Sequence, residues 1–111
     1  MMYHLNSDSC VKTPAGHMCK WLSDKHTILF VHAKWCGYCK RTMPEFVAAS
    51  KTETSIHFAL LEDVDLKKMS DPLPVSGFPT FFLINKDTGM ITVVPNFPRD
   101  TKGMIEFLSK L

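Results

Sequence analysis

Cys36 and Cys39 stand with two residues between them in Trp35-Cys36-Gly37-Tyr38-Cys39-Lys40. A Cys-x-x-Cys pair can close a small disulfide ring or supply half of a metal site. Structural zinc needs a second ligand pair at comparable spacing, and none follows. Cys10 and Cys19 are spaced unlike the usual zinc ligands, and with His17 they could form a metal cluster only by accident of folding. The expectation is no metal, with Cys10 and Cys19 ordinary small residues, or an adventitious disulfide if the compartment oxidises.

Redox chemistry needs a thiolate, because a thiol hardly attacks a disulfide. The pair lies where a strand-like run hands over to a helix-like one. Cys36 therefore meets unpaired amides and the positive end of a helix dipole, with Lys34, Lys40 and Arg41 adding charge nearby. Cys36, at the exposed helix tip, is the expected nucleophile. Cys39, one turn further in, is the expected resolving thiol. Gly37 permits the tight turn, and Tyr38 influences the reduced-oxidised balance and is placed to touch substrate.

The elements that must position this pair are readable from periodicity. Tyr3-His4-Leu5 suggests a short strand, followed by a polar stretch to Lys12. Thr13-Pro14 reads as a helix start, with Met18, Trp21 and Leu22 on one apolar face and a stop around Ser23 to Lys25. Thr27 to Ala33 is apolar on both alternating faces, as in a central strand covered on two sides, and it delivers the chain to Trp35 and the cysteines. From Cys39 the stripe Met43, Phe46, Val47 predicts a helix fading near Ser50 to Thr54, with Pro44 removing one amide inside it.

Ile56 to Leu61 is a further strand, ended by the acidic run Glu62, Asp63, Asp65, which reads as a solvated strand end. A short helix over Leu66 to Met69, a strand over Thr80 to Ile84, a turn at Asn85 to Gly89, an antiparallel strand over Met90 to Val94 and a closing helix with Met104, Phe107, Leu108 and Leu111 on one face complete the order. This is an α/β domain spanning 1–111.

Composition limits the alternatives. A chain of 111 residues fits one compact domain, and an apolar fraction of 45% is enough for one core. A net charge of +2 with scattered Lys and Arg excludes a nucleic-acid footprint. No apolar run approaches the roughly 20 residues of a membrane-spanning helix. The start Met1 to Asp8 has neither the basic residues nor the apolar stretch of an export signal, so a cytoplasmic protein is expected.

In combination, Ala33-Lys34-Trp35-Cys36-Gly37-Tyr38-Cys39-Lys40, Pro44, and Gly77-Phe78-Pro79-Thr80 opening a strand resemble the thioredoxin superfamily, over nearly the whole chain from the first predicted helix to Leu111. The resemblance implies a thioredoxin fold, a central mixed β-sheet flanked by helices on both faces. It implies a thiol-disulfide oxidoreductase using Cys36 and Cys39, with no cofactor beyond that redox-active disulfide. Pro79 would be a cis-proline against the cysteines, with Phe78 offering backbone groups to an extended substrate. Implied partners are disulfide-containing proteins and a thioredoxin-reductase-like or glutathione recycling system. The implied roles are electron transport and cell redox homeostasis, and a monomer is expected.

Three departures from the family pattern bear on mechanism. Gly-Tyr stands between the cysteines where thioredoxins have Gly-Pro, and this is expected to make the disulfide more oxidising. Phe30 takes the place of a buried acid, and its lysine partner is expected to be replaced by Leu61. His32 takes an aromatic position four residues before Cys36 and is a candidate proton acceptor for Cys39. The first reading is a cytosolic protein-disulfide reductase. The alternatives are a protein disulfide isomerase-like oxidase or isomerase, and a thioredoxin-fold binding module whose cysteines are incidental.

Overall fold

The computed structural model describes residues 2–19 and 24–111. Its elements in chain order are β1 (Met2–His4), β2 (Cys10–Thr13), β3 (Gly16–Cys19), β4 (Thr27–His32), α1 (Gly37–Thr52), β5 (His57–Glu62), α2 (Asp63–Lys67), β6 (Thr80–Ile84), β7 (Ile91–Val93) and α3 (Thr101–Leu108). Five strands form one sheet in the order β1-β5-β4-β6-β7. β1, β5 and β4 run parallel, while β6 is antiparallel to both β4 and β7. No helix among the described residues is long and apolar enough to cross a membrane.

The central strand β4 is apolar on both sides because both sides are covered. Ile28 and Phe30 face one core layer with Phe46 of α1 and Met104 and Leu108 of α3. Leu29 and Val31 face the opposite layer with Leu66 of α2, Cys10 and Cys19. Rings at 4.6–5.3 Å link Phe58, Phe46, Phe30, Phe81, Phe97 and Phe107 in sequence, a ladder from β5 across β4 and β6 to α3. Edge-to-face and offset contacts at such separations add to the area the rings bury.

The predicted first helix is not formed. Residues 10–19 make a β-hairpin in which Cys10 faces Cys19 in register, and the two are joined by a disulfide. The Thr13 hydroxyl, expected to cap a helix, instead receives the Ala15 amide and donates to the Gly16 carbonyl. Gly16 has φ 130, a conformation open to glycine and costly to other residues. Pro14 and Gly16 thus specify a turn, and the helical spacing of Met18 was incidental. Trp21, Leu22 and Ser23 lie outside the described residues.

Smaller differences have local causes. α2 begins at Asp63 rather than Leu66, with Asp63 and Asp65 in its first turn, where carboxylates suit the helix dipole. α3 begins on Asp100, whose side chain accepts the Gly103 amide, and it ends at Leu108, so Leu111 is 50% exposed and off the buried face. At the β6–β7 turn the Asn85 side chain accepts the Asp87 and Thr88 amides, and Gly89 takes φ 73. Glu45 of α1 binds the Thr101 amide and hydroxyl, both at 2.8 Å, tying the two large helices together.

Candidate active site

β4 ends at His32, and four residues later Cys36 is the N-cap of α1. The Cys36 amide donates to the Ala33 carbonyl and the Lys40 amide to the Cys36 carbonyl, both at 3.1 Å, which fixes Cys36 at the strand-helix junction. Its Sγ receives the Cys39 amide at 3.1 Å. The contact satisfies one of the amide hydrogens that the first turn of a helix leaves without an intrahelical partner.

Both cysteines are free thiols and both are buried, Cys36 at 5% and Cys39 at 2% exposure. Cys36 is therefore not the exposed tip that the helix pattern suggested. Both belong to the α1 core layer, against which Phe78 also packs, so substrate must reach sulfur at the floor of a surface rather than on a projection. Burial, the hydrogen bond with Cys36 and the charge of Cys36 push the Cys39 thiol up to about 12, opposed by the Ala33 backbone and the Arg99 charge.

The Phe78–Pro79 bond is cis. Phe78 packs edge-on to the Trp35 indole at 5.5 Å. Beside it a groove of about 750 Å³ is lined by Tyr38, Gly77, Phe78, Pro79, Phe97 and Arg99 among others. Trp35 and Tyr38 are 68% and 66% exposed, unusual for rings of that size and suited to contact with an extended peptide. Gly37 has open space where a Cβ would stand. Lys40 is exposed, Arg41 stacks over the Tyr38 ring at 4.7 Å, and Lys34 lies 3.8 Å from Glu62.

Three features were not anticipated. Asp63, read as part of a solvated run, is 5% exposed and accepts the Trp35 indole N–H at 3.1 Å, whereas Asp65 is not the residue so engaged. Its position after the end of β5 was legible, its place in the first turn of α2 and its burial were not. Arg99 lies over the Phe81 ring at 5.5 Å and borders the groove, a role that no local motif marks. The strand neighbour of Phe30 is Leu60, in the same core layer, while Leu61 faces the other layer beside Val31. The apolar residue beside Phe30 is thus Leu60 rather than Leu61, a difference of one residue in strand register.

His32 is half-buried at the end of β4, with its ring edge-on to Phe30 at 5.6 Å. Burial holds its pKa below the ordinary imidazole value, while Glu62 and Asp63 act in the opposite direction. The metal alternative for Cys10, Cys19 and His17 does not form. Both sulfurs are consumed in the disulfide, and the His17 ring lies 3.1 Å from the Asp71 carbonyl.

A five-stranded mixed sheet with a dithiol at the mouth of its central strand, a cis-proline loop beside it and a helix capped by the outer cysteine defines the thioredoxin-fold class. The Thioredoxin family model matches residues 13–110, and the chain belongs to that family. It is 33% identical over 89 residues to a probable protein disulfide-isomerase ER-60 of Schistosoma mansoni, covering 78% of this chain and 18% of that protein. It is 32% identical over 66 residues to thioredoxin C-3 of Corynebacterium nephridii, covering 60% of this chain and 46% of that one. The chain thus spans about a fifth of the length of the disulfide isomerases it matches. Among solved structures, the zinc-bound form of human ERp44 superposes with TM-score 0.76 at 17% identity, covering 99% of this chain and 31% of that one. Chloroplastic thioredoxin z gives 0.65 at 21% identity, covering 78% of each.

Proposed function

We propose that this domain is a thiol-disulfide oxidoreductase acting on protein disulfides. The observation that carries this reading is the Cys39 amide donating to Cys36 Sγ at a helix N-cap, one turn before a second, deeply buried thiol. Cys36 thiolate attacks a substrate disulfide, the mixed disulfide forms, and one substrate sulfur leaves. Cys39 then attacks Cys36 Sγ and releases the second, leaving Cys36–Cys39 oxidised. The same steps in reverse pass the disulfide on to a substrate. Substrate chains lie extended along the groove beside Phe78 and Pro79, held through backbone groups with little sequence selectivity.

The direction proposed is oxidation or isomerisation rather than reduction. A domain that holds its own Cys10–Cys19 disulfide in the core suits an oxidising compartment better than the cytoplasm expected from the N-terminal residues. Gly-Tyr between the cysteines and the likeness to disulfide isomerases agree with that choice. A glutathione pool is then the recycling partner.

Trapping tests the activity. Cys39→Ser should accumulate a mixed disulfide with protein substrates that carry a disulfide, and Cys36→Ser should form none. Turnover surviving Cys36→Ser would defeat the proposal in favour of a binding module. A potential for the Cys36 and Cys39 pair near that of thioredoxin, about −270 mV, would instead favour the reductase.

A further inference from the structure

Cys39 must become a thiolate to release substrate, yet burial, the first cause of its raised pKa, still opposes ionisation once Cys36 is bound to substrate. A group able to take the proton must therefore lie within reach. Phe30, beneath the site, cannot. A cavity of about 420 Å³ that shares no lining residue with the substrate groove borders Cys39, lined by His32, Lys34, Cys39, Lys40 and Pro44 among others. Of the described side chains that line it, the lysine ammonium groups have no lone pair to offer and the rest are apolar or carry sulfur. His32 alone can accept a proton there.

We propose that His32 accepts the proton released by Cys39 across the cavity they share and passes it on to solvent. His32 also borders a second cavity of about 210 Å³, lined with His4, Leu60, Glu62 and Asp65, and Glu62 is its register partner on β5. The ring thus stands between the buried thiol and an acidic surface from which protons exchange with solvent. The groups facing it are Glu62 and Asp63, which favour the imidazolium, His4, which opposes it, and Lys34, Cys39 and Lys40 around the first cavity. Burial outweighs the carboxylates, so at neutral pH the imidazole is neutral and has a lone pair free.

In the resolving step Cys39 Sγ–H passes its proton through solvent in the cavity to a ring nitrogen of His32. The Cys39 thiolate attacks Cys36 Sγ, and the bond between Cys36 and the substrate sulfur breaks. The electron pair leaves on the substrate sulfur, which takes a proton from solvent, while the imidazolium gives its own to solvent on the side of Glu62 and Asp65. Two protein thiols become one disulfide as the substrate disulfide becomes two thiols. His32 acts on the second step only, which rests on the exchange reading above but can fail separately from it.

Stopped-flow reaction of the reduced dithiol with 5,5′-dithiobis(2-nitrobenzoate) reads the steps apart, because attack by Cys36 releases one thionitrobenzoate and resolution by Cys39 a second. In the wild type the second phase should show a pH inflection below the ordinary imidazole range. His32→Phe and His32→Gln should lose that inflection and slow the second phase about a hundredfold at pH 7, leaving the first phase within about twofold. Glu62→Gln should keep the inflection and move it to lower pH, since Glu62 supports the imidazolium. A second phase with unchanged rate and pH profile in His32→Gln, or an inflection lost in Glu62→Gln but kept in His32→Gln, would overturn the proposal. Absence of the first phase in the wild type would instead defeat the exchange activity itself.

Discussion

The Trp35 indole donates a hydrogen bond of 3.1 Å to the buried carboxylate of Asp63, joining the loop that carries the nucleophile to the first turn of α2. Two segments far apart in sequence are thereby held on the same edge of the sheet, beside Cys36. Asp63→Ala frees the indole, which at 68% exposure can bond to water instead. The stability loss should therefore be at the low end for such a bond, about 1 kcal/mol. The larger effect should fall on substrate binding, as a raised KM with little change in kcat. Urea midpoints and peptide-disulfide kinetics measure the two separately.

The Cys10–Cys19 disulfide closes a hairpin with a sequence separation of 9, a short loop for which cross-linking restricts the unfolded chain by about 2–3 kcal/mol. The double variant Cys10→Ala with Cys19→Ala should lose about that much in denaturant unfolding. Thionitrobenzoate release from Cys36 and Cys39 should continue in the folded variant. A variant as stable as the wild type would mean that the hairpin is held by its contacts with Leu29, Leu61 and Phe82 alone.

Glu45 has its carboxyl held below the usual range by the Thr101 amide first and the Thr101 hydroxyl second. A lowered folded value means that its contribution to stability is complete above the ordinary glutamate range, roughly above pH 5, and disappears as pH falls through the folded value. Glu45→Gln should therefore reduce stability at pH 7. The gap between variant and wild type should close on acidification, and urea midpoints from pH 7 to pH 3 follow it.

Phe30 is fully buried in the middle of the aromatic ladder, 5.1 Å from the Phe46 ring and 4.8 Å from that of Phe81. Phe30→Ala should cost about 3–5 kcal/mol, and Phe30→Leu considerably less. Thermal unfolding would register the difference. A cost below about 1 kcal/mol for the alanine variant would show that α1 collapses into the space.

Elements with strong periodicity or punctuation were legible in the sequence. The two-sided apolar run of β4, the stripe of α1 and the turn at Asn85 to Gly89 each state their structure locally, and Cys36, Cys39 and Pro79 mark the candidate site. The hairpin at 10–19 was missed because Thr13-Pro14 satisfies both a helix cap and a turn, and only the pairing of Cys10 with Cys19 decides between them. Leu60 and Leu61 could not be assigned to a face, since a one-residue change in strand register exchanges the faces. Asp63 and Arg99 act through partners distant in sequence, which no local pattern encodes.

The two cysteine pairs occupy layers on opposite sides of the sheet, Cys36 and Cys39 with α1 and α3, Cys10 and Cys19 with α2. Layers stack about 10 Å from the strands they cover, and a disulfide cannot bridge Cα atoms much beyond 7 Å. Crossed pairings between the two are thus closed to the folded chain. Any such isomer recovered from an ageing sample must have formed during an excursion through the unfolded state, and its slow accumulation would serve as an internal clock for how often the domain opens.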